Sequence, residues 1–244
     1  EGLRAYYQQE LHSARRLFRA ALAEDSSFAL ASYYVLTTEW ALALAPDTAL
    51  EAHLRRLAGR LPDRERLVAQ GRIAWSSSDP ALLPLAETLT ARFPDEPEGQ
   101  LLLGRALAES GHIPRALPRL REVVRTDSLG LRSESPHCHA CEAMVAMIEG
   151  YIALDSLDAA ADLAREWVAL QPGSGQPWLH LALVLERQGE TDGALAAIGR
   201  AAPLVPGNRY LPIYPAILSL RAGEFEAADR LLREQASAGA PDVR

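Results

Sequence analysis

No lysine occurs in this chain of 244 residues: all 25 basic side chains are arginine, and asparagine appears once, at Asn208. That removes a Schiff-base lysine, a phosphate-loop lysine and a kinase lysine, and several enzyme classes with them. GC-rich coding is the plain origin of such a bias. Long apolar runs are missing as well. The most apolar expected helix, Trp178 to Leu185, runs into Glu186 and Arg187, well short of the ~18 uncharged apolar residues of a membrane helix. The chain reads as soluble, with no membrane span. There is no basic stripe interleaved with aromatics either. Arg15-Arg16 and Arg119 to Arg125 have acids close by, and the net charge is -7, so nucleic acid is not an expected partner. The chain also lacks a glycine-rich phosphate loop, a nucleophile elbow and a helical His-x-x-x-His pair. Glu142 and Glu149, seven residues apart on one helical face, read as a solvated pair. Neither catalysis nor a cofactor is expected.

What is present is a ladder. Ala14, Ala49, Leu82 (standing in for alanine), Ala116, Ala160, Ala194 and Ala228 follow at steps of 35, 33, 34, 44, 34 and 34 residues. A period of 34 marks a helix-turn-helix unit that stacks on copies of itself. The expected fold is all-α: a right-handed α-solenoid of about seven such units over residues 1–235, with a frayed tail at 236–244. The one long step adds an insertion of 10 residues around 127–140, between the fourth and fifth units. Ala14 sits at the twentieth repeat position, which puts the start of the first unit about six residues before Glu1. The chain is thus expected to be a piece of a longer or processed polypeptide, with a short first helix. Leu11, Leu17 and Phe18 would then be partly uncovered, and end-to-end stacking of copies becomes an expected mode of self-association.

Within each unit the residue types repeat. The sixth copy supplies Trp178, Leu181, Ala182, Leu185, Ala194, Ile198, Ala201 and Pro206, with Gly189 in the turn. The fourth supplies Leu103, Gly104, Leu107, Gly111, Ala116, Leu120 and Val123, and the fifth Met144, Met147, Ile148, Tyr151, Ala160, Ala164, Trp167 and Pro172. Small residues let two helices approach, bulky ones fill the space between units, and proline ends the second helix. This pattern resembles the tetratricopeptide repeat (TPR) family. Copies two and three are weaker: Arg66 and Gln70 fall at positions that should be buried or small. Pro212 and Pro215 should distort or delay the last first-helix. The stretch Leu61-Pro62-Asp63-Arg64-Glu65-Arg66-Leu67 also loosely resembles TPR regions of bacterial multidomain signalling proteins.

The resemblance implies a concave groove lined by first helices, and a protein or peptide partner held there. Tyr6, Tyr7, Tyr34 and Trp75 fall on groove positions in the early copies, and Arg105, Glu109, Glu142, Glu149, Arg187, Tyr210 and Arg221 in the later ones. Rigid aromatics and arginines are the residue types that anchor interfaces. The plainer alternative has Tyr34 or Trp75 simply packing between helices. The lysine and asparagine clamp with which some TPR proteins grip a carboxylate end is absent, since its positions hold Tyr34, Leu67, Leu101, Val145, Leu179 and Ile213.

The insertion ends in His137-Cys138-His139-Ala140-Cys141, the only cysteines of the chain. Three readings stand open: a Cys138–Cys141 disulfide, which needs an oxidising compartment; a metal site of His137, Cys138, His139 and Cys141; or two apolar thiols packed at a helix start. Haem attachment is excluded because Glu142 follows Cys141. A close cysteine pair leans towards an exported setting. The expected function is a non-catalytic interaction scaffold that binds a protein segment or another copy of itself. The alternative is a sensory region of a larger signalling protein with a redox- or metal-responsive cysteine pair.

Overall fold

The computed structural model describes residues 1–8, 10–42, 44, 47–132, 138–205, 211–221 and 223–238. Among them are fifteen α-helices and no strand. The chain divides into two compact units, Glu1–Gly150 and Tyr151–Arg244. In the first unit α1 (Gly2–Tyr7) and α2 (Leu11–Glu24), α3 (Ala29–Ala41) and α4 (Thr48–Leu57), α5 (Asp63–Ser76) and α6 (Leu82–Arg92), and α7 (Pro97–Glu109) and α8 (Ile113–Thr126) form successive helix pairs. A short α9 (Ser128–Arg132) follows, and α10 (His139–Ala153) carries the division between units near its end. The second unit continues with α11 (Leu157–Leu170), α12 (Gly175–Gln188), α13 (Thr191–Ala201), α14 (Tyr214–Arg221) and α15 (Phe225–Ala238). The chain is thus an all-α array of helix pairs, with the short α9 between α8 and α10.

The ladder of small residues has a simple structural meaning. Ala14, Ala116, Ala160, Ala194 and Ala228 are each the fourth residue of a second helix, and all five are fully buried. Leu82, at the start of α6, is buried too. Ala49 is not: it is exposed, and the fourth residue of α4 is Glu51, which is buried. The cause is local. The Asp47 carboxylate accepts from the Leu50 amide at 3.0 Å, which fixes the start of α4 two residues later than the period implies. Glu51 then takes the small-residue position, and its carboxylate accepts from the Ser76 hydroxyl at 3.2 Å.

A similar slip occurs in α5. Arg66 and Gln70 are half-buried and pair with each other at 3.3 Å, while Leu67, Val68, Ala69 and the run Gly71 to Ala74 are buried. Gly71 is the point of close approach, because a Cβ there would stand 2.7 Å from Leu102 Cδ1. This register carries Arg72, a charged side chain, into the buried side of the helix. The turns behave as the sequence implies. Gly189, which ends α12, has φ of 79°, and in other turns Ser78 and Asp155 adopt the same left-handed region.

Of the row expected to be partly uncovered, Leu11 and Phe18 are buried and Leu17 is half-buried. Short as it is, α1 lies over Phe18, so close that a Cβ on Gly2 would stand 2.8 Å from the ring. In the second unit, Leu211–Ile213 form a 3-10 turn before α14, which is only eight residues long. Pro212 and Pro215 account for both, since neither supplies a backbone donor. Trp167 on α11 is fully buried and donates from its indole nitrogen to Gln171 Oε1 at 2.9 Å.

Candidate functional site

On the first helices of the first unit, helical spacing brings charged and aromatic residues to one face: Arg72 with Trp75 on α5, Glu98 with Arg105 on α7, and Glu142 with Glu149 on α10. Trp40 joins them from α3. Arg72 is the hub. It is 7% exposed, donates to Glu142 at 2.6 and 3.0 Å and to Glu98 at 3.1 Å, and pairs with Glu98 again through Nε. Glu98 is 6% exposed and also meets His139 Nε2 at 2.7 Å. The Arg72 guanidinium lies 5.1 Å from the Trp75 ring centroid and 5.9 Å from that of Trp40. Arg105 stands 4.7 Å from the Trp75 ring and donates to Glu149 at 2.8 Å. Trp40, Arg72, Trp75 and Arg105 therefore form an alternating ladder of rings and cations.

Buried charge on this scale needs full compensation. Burial works against the Arg72 cation, but the Glu98 and Glu142 carboxylates overcome it and hold the guanidinium above its ordinary range. Burial likewise favours neutral Glu98, yet the Arg72 charge and the His139 hydrogen bond carry it well below the usual carboxylate range. Burial is the largest single influence on His139 and pushes it down, but its hydrogen bond to Glu98 and the charges of Glu98 and Glu142 together outweigh it, for a net upward shift.

The signs define a pH window. A depressed carboxylate stabilises the fold above its unfolded value of ~4.5 and loses that contribution as pH falls through its folded value. A raised histidine stabilises fully below ~6.5 and loses its contribution as pH rises through its folded value. Together the network should contribute most between about pH 4.5 and 6.5. Unfolding free energy measured against pH should therefore decline above that window in the native chain. In His139→Gln that histidine-linked decline should be missing; an unchanged decline would show that His139 does not cause it.

The expected groove residues are placed as follows. Trp75, Arg105 and Glu149 belong to the ladder and its carboxylates, and Glu109 is exposed near the end of α7. Tyr34 is 7% exposed, within an aromatic cluster: Phe18 stacks on it at 5.1 Å, and Tyr6 and Tyr33 meet it edge-on at 5.3 and 5.1 Å. Tyr6 is half-buried. In the second unit Arg187 is exposed, and Arg221 pairs with Glu186, which also accepts from the Tyr214 hydroxyl at 2.5 Å. The side chain of Tyr7, and all of Tyr210 and His137, lie outside the described residues. Arg72 and Glu98 are additions. The repeat positions contained their signal, but the slip in α5 hid Arg72.

Cys138 and Cys141 form a disulfide, with 2.11 Å between the sulfurs. Of the three readings, the structure takes the disulfide. Among the described residues no three or more His, Cys, Asp or Glu side chains are placed to hold a metal ion. The bond closes the first turn of α10, where the Cys141 amide donates to Cys138 Sγ at 3.0 Å and the Ala140 amide to Asp127 Oδ2 at 3.0 Å. No described helix is long and apolar enough to cross a membrane.

No protein-family model matches the sequence. No curated protein matches it at a significant level. Solved structures do. MamA from Desulfovibrio magneticus RS-1 is 15% identical, with a TM-score of 0.52 over 73% of this chain and 99% of that one. A human IFIT1 dimer with m7Gppp-AAAA is 13% identical, with a TM-score of 0.61 over 96% of this chain and 58% of that one. TTC0263, a TPR protein of Thermus thermophilus, is 20% identical with a TM-score of 0.48 over 90% and 95%. At these identities the likeness is one of fold: an all-α array of helix pairs.

Proposed function

We propose that the chain is a non-catalytic scaffold that takes an extended, basic protein segment on the first-helix face of its first unit. The observation that carries this is the state of Trp75. Its ring is half-buried and held between Arg72 and Arg105, so the indole is rigid before any partner arrives. Both arginines already pair with carboxylates, Arg72 with Glu98 and Glu142 and Arg105 with Glu149. The carboxylates with solvent exposure on these helices are Glu149, 54% exposed and paired with Arg105, the half-buried Glu142, paired with Arg72, and the exposed Glu109 of α7. A segment carrying arginine or lysine beside apolar side chains complements that surface. The m7Gppp-AAAA ligand belongs to IFIT1; outward carboxylates favour a protein here.

The test uses a labelled Arg- and Leu-containing peptide and its Glu-for-Arg counterpart, titrated by fluorescence anisotropy. The basic peptide should bind and the acidic one should not. Trp75→Ala should weaken binding by about thirtyfold, the effect of losing an anchor of about 2 kcal/mol, with helicity unchanged. Equal binding of both peptides, or no loss in Trp75→Ala, would sink the proposal. Self-association is the second reading, favoured by Phe225 on α15, which is 68% exposed. Light scattering on the same samples separates the two: a mass that grows with concentration, without peptide binding, favours the copy-to-copy mode.

A further inference from the structure

We infer that the Cys138–Cys141 disulfide is a redox latch that sets the geometry of the Arg72 network, and through it the Trp75 face. The inference rests on the binding reading above for its functional consequence, but not for its structural content. The two cysteines bracket His139, so the covalent bond closes the turn from which the imidazole reaches Glu98. Glu142, the next residue after Cys141, is the partner that takes two hydrogen bonds from Arg72. Two of the groups that meet Arg72 or Glu98 from outside α5 and α7 are therefore fixed by one bond. The Ala140 amide to Asp127 and the Glu142 amide to the Cys138 carbonyl also restrain this turn, through its backbone.

Cys138 and Cys141 are 5% and 9% exposed, so exchange requires the start of α10 to open, and the same turn then favours the leaving thiolate. Cys138 Sγ accepts the Cys141 amide at the start of α10, the position where helix N-termini stabilise a thiolate. A sulfur stabilised as thiolate is the better leaving group in thiol–disulfide exchange. The step needs a dithiol reductant. One of its thiolates attacks Cys141 Sγ, the S–S bond breaks, and Cys138 departs as thiolate. The reductant's second thiolate then attacks its own sulfur in the mixed disulfide and releases the Cys141 thiolate. Two electrons pass to the cysteines, the reductant leaves as its disulfide, and its two protons end on the cysteine sulfurs or in solvent.

The decisive experiment follows the His139 ring proton resonance through a pH titration of the whole chain, oxidised and after dithiothreitol, with mass confirming the gain of two hydrogens. Cys138→Ser/Cys141→Ser gives a second, reductant-free comparison. In the reduced chain and in the double variant the His139 midpoint should fall towards ~6.5, its ordinary value, while helicity is kept. Affinity for the basic peptide should fall about tenfold, a typical coupling between two sites. A His139 midpoint identical in both redox states overturns the latch, whatever the peptide does. So does a disulfide that resists dithiothreitol in the folded chain. A midpoint that moves while neither form binds peptide supports the latch and sinks the binding reading instead. Should the double variant not fold, the reduced native chain alone decides.

Discussion

Arg72→Ala should destabilise the first unit by about 3–5 kcal/mol, the cost of breaking a buried ion pair by removing one partner. Glu98 is left with His139 as its one remaining charged neighbour among these groups, and Glu142 loses both hydrogen bonds. Against a typical domain stability of about 5–15 kcal/mol, this is a large fraction. The measurement is the denaturant midpoint, with Arg72→Met/Glu98→Gln as its control. That double variant keeps the volume and removes both charges, so it should recover most of the loss. If Arg72→Ala and the double variant lose the same amount, the arginine contributes packing and the network reading is wrong. The control matters because the two guanidinium–indole contacts disappear along with the charge.

The second large effect belongs to the other unit. Trp167→Ala empties the largest fully buried side chain among the described residues and should cost about 3–5 kcal/mol. Part of that is the hydrogen bond to Gln171, whose side chain is itself buried. Trp167→Phe isolates this part, since it keeps most of the ring and removes the donor. A lower unfolding midpoint in the order native, phenylalanine, alanine is expected. A cost below about 1 kcal/mol for alanine, the level of an exposed site, would mean that the space at α11 is not as closely filled as the burial of Trp167 implies.

The fold was largely legible because its signal is local and repeated. Ala14, Ala116, Ala160, Ala194 and Ala228 are small for one reason, a close contact at the fourth residue of a second helix, and repetition lets that reason stand out. Where a local device intervenes, the period misleads. Asp47 caps α4 and moves the buried position from Ala49 to Glu51, which no count of steps reveals. The site was legible only in part. Trp75, Arg105 and Glu149 fall on positions expected to share one face, and Arg105 meets both of the others. Arg72 and Glu142, by contrast, are 70 residues apart in sequence, and their pairing depends on how successive helices stack. Tyr34 shows the limit of reading a face from spacing alone: its position is that of a lining residue, while Phe18, Tyr6 and Tyr33 fill the space around it. The state of Cys138 and Cys141 was undecidable from a single C-x-x-C, because one spacing serves a disulfide, a metal and two thiols alike.

The last helix pair carries a consequence for how the chain comes apart. Pro212 and Pro215 shorten α14 to eight residues, and among the described side chains of α15 only Ala228 is a buried apolar residue, while Phe225 and Leu232 stand exposed. In a linear array each unit is held by its neighbours alone, so the free energy of opening is a property of position and not of the whole molecule. Together α14 and α15 are thus expected to have the lowest opening energy in the second unit. They separate before Trp167 is disturbed, and a single unfolding constant for the chain averages over events that differ in kind.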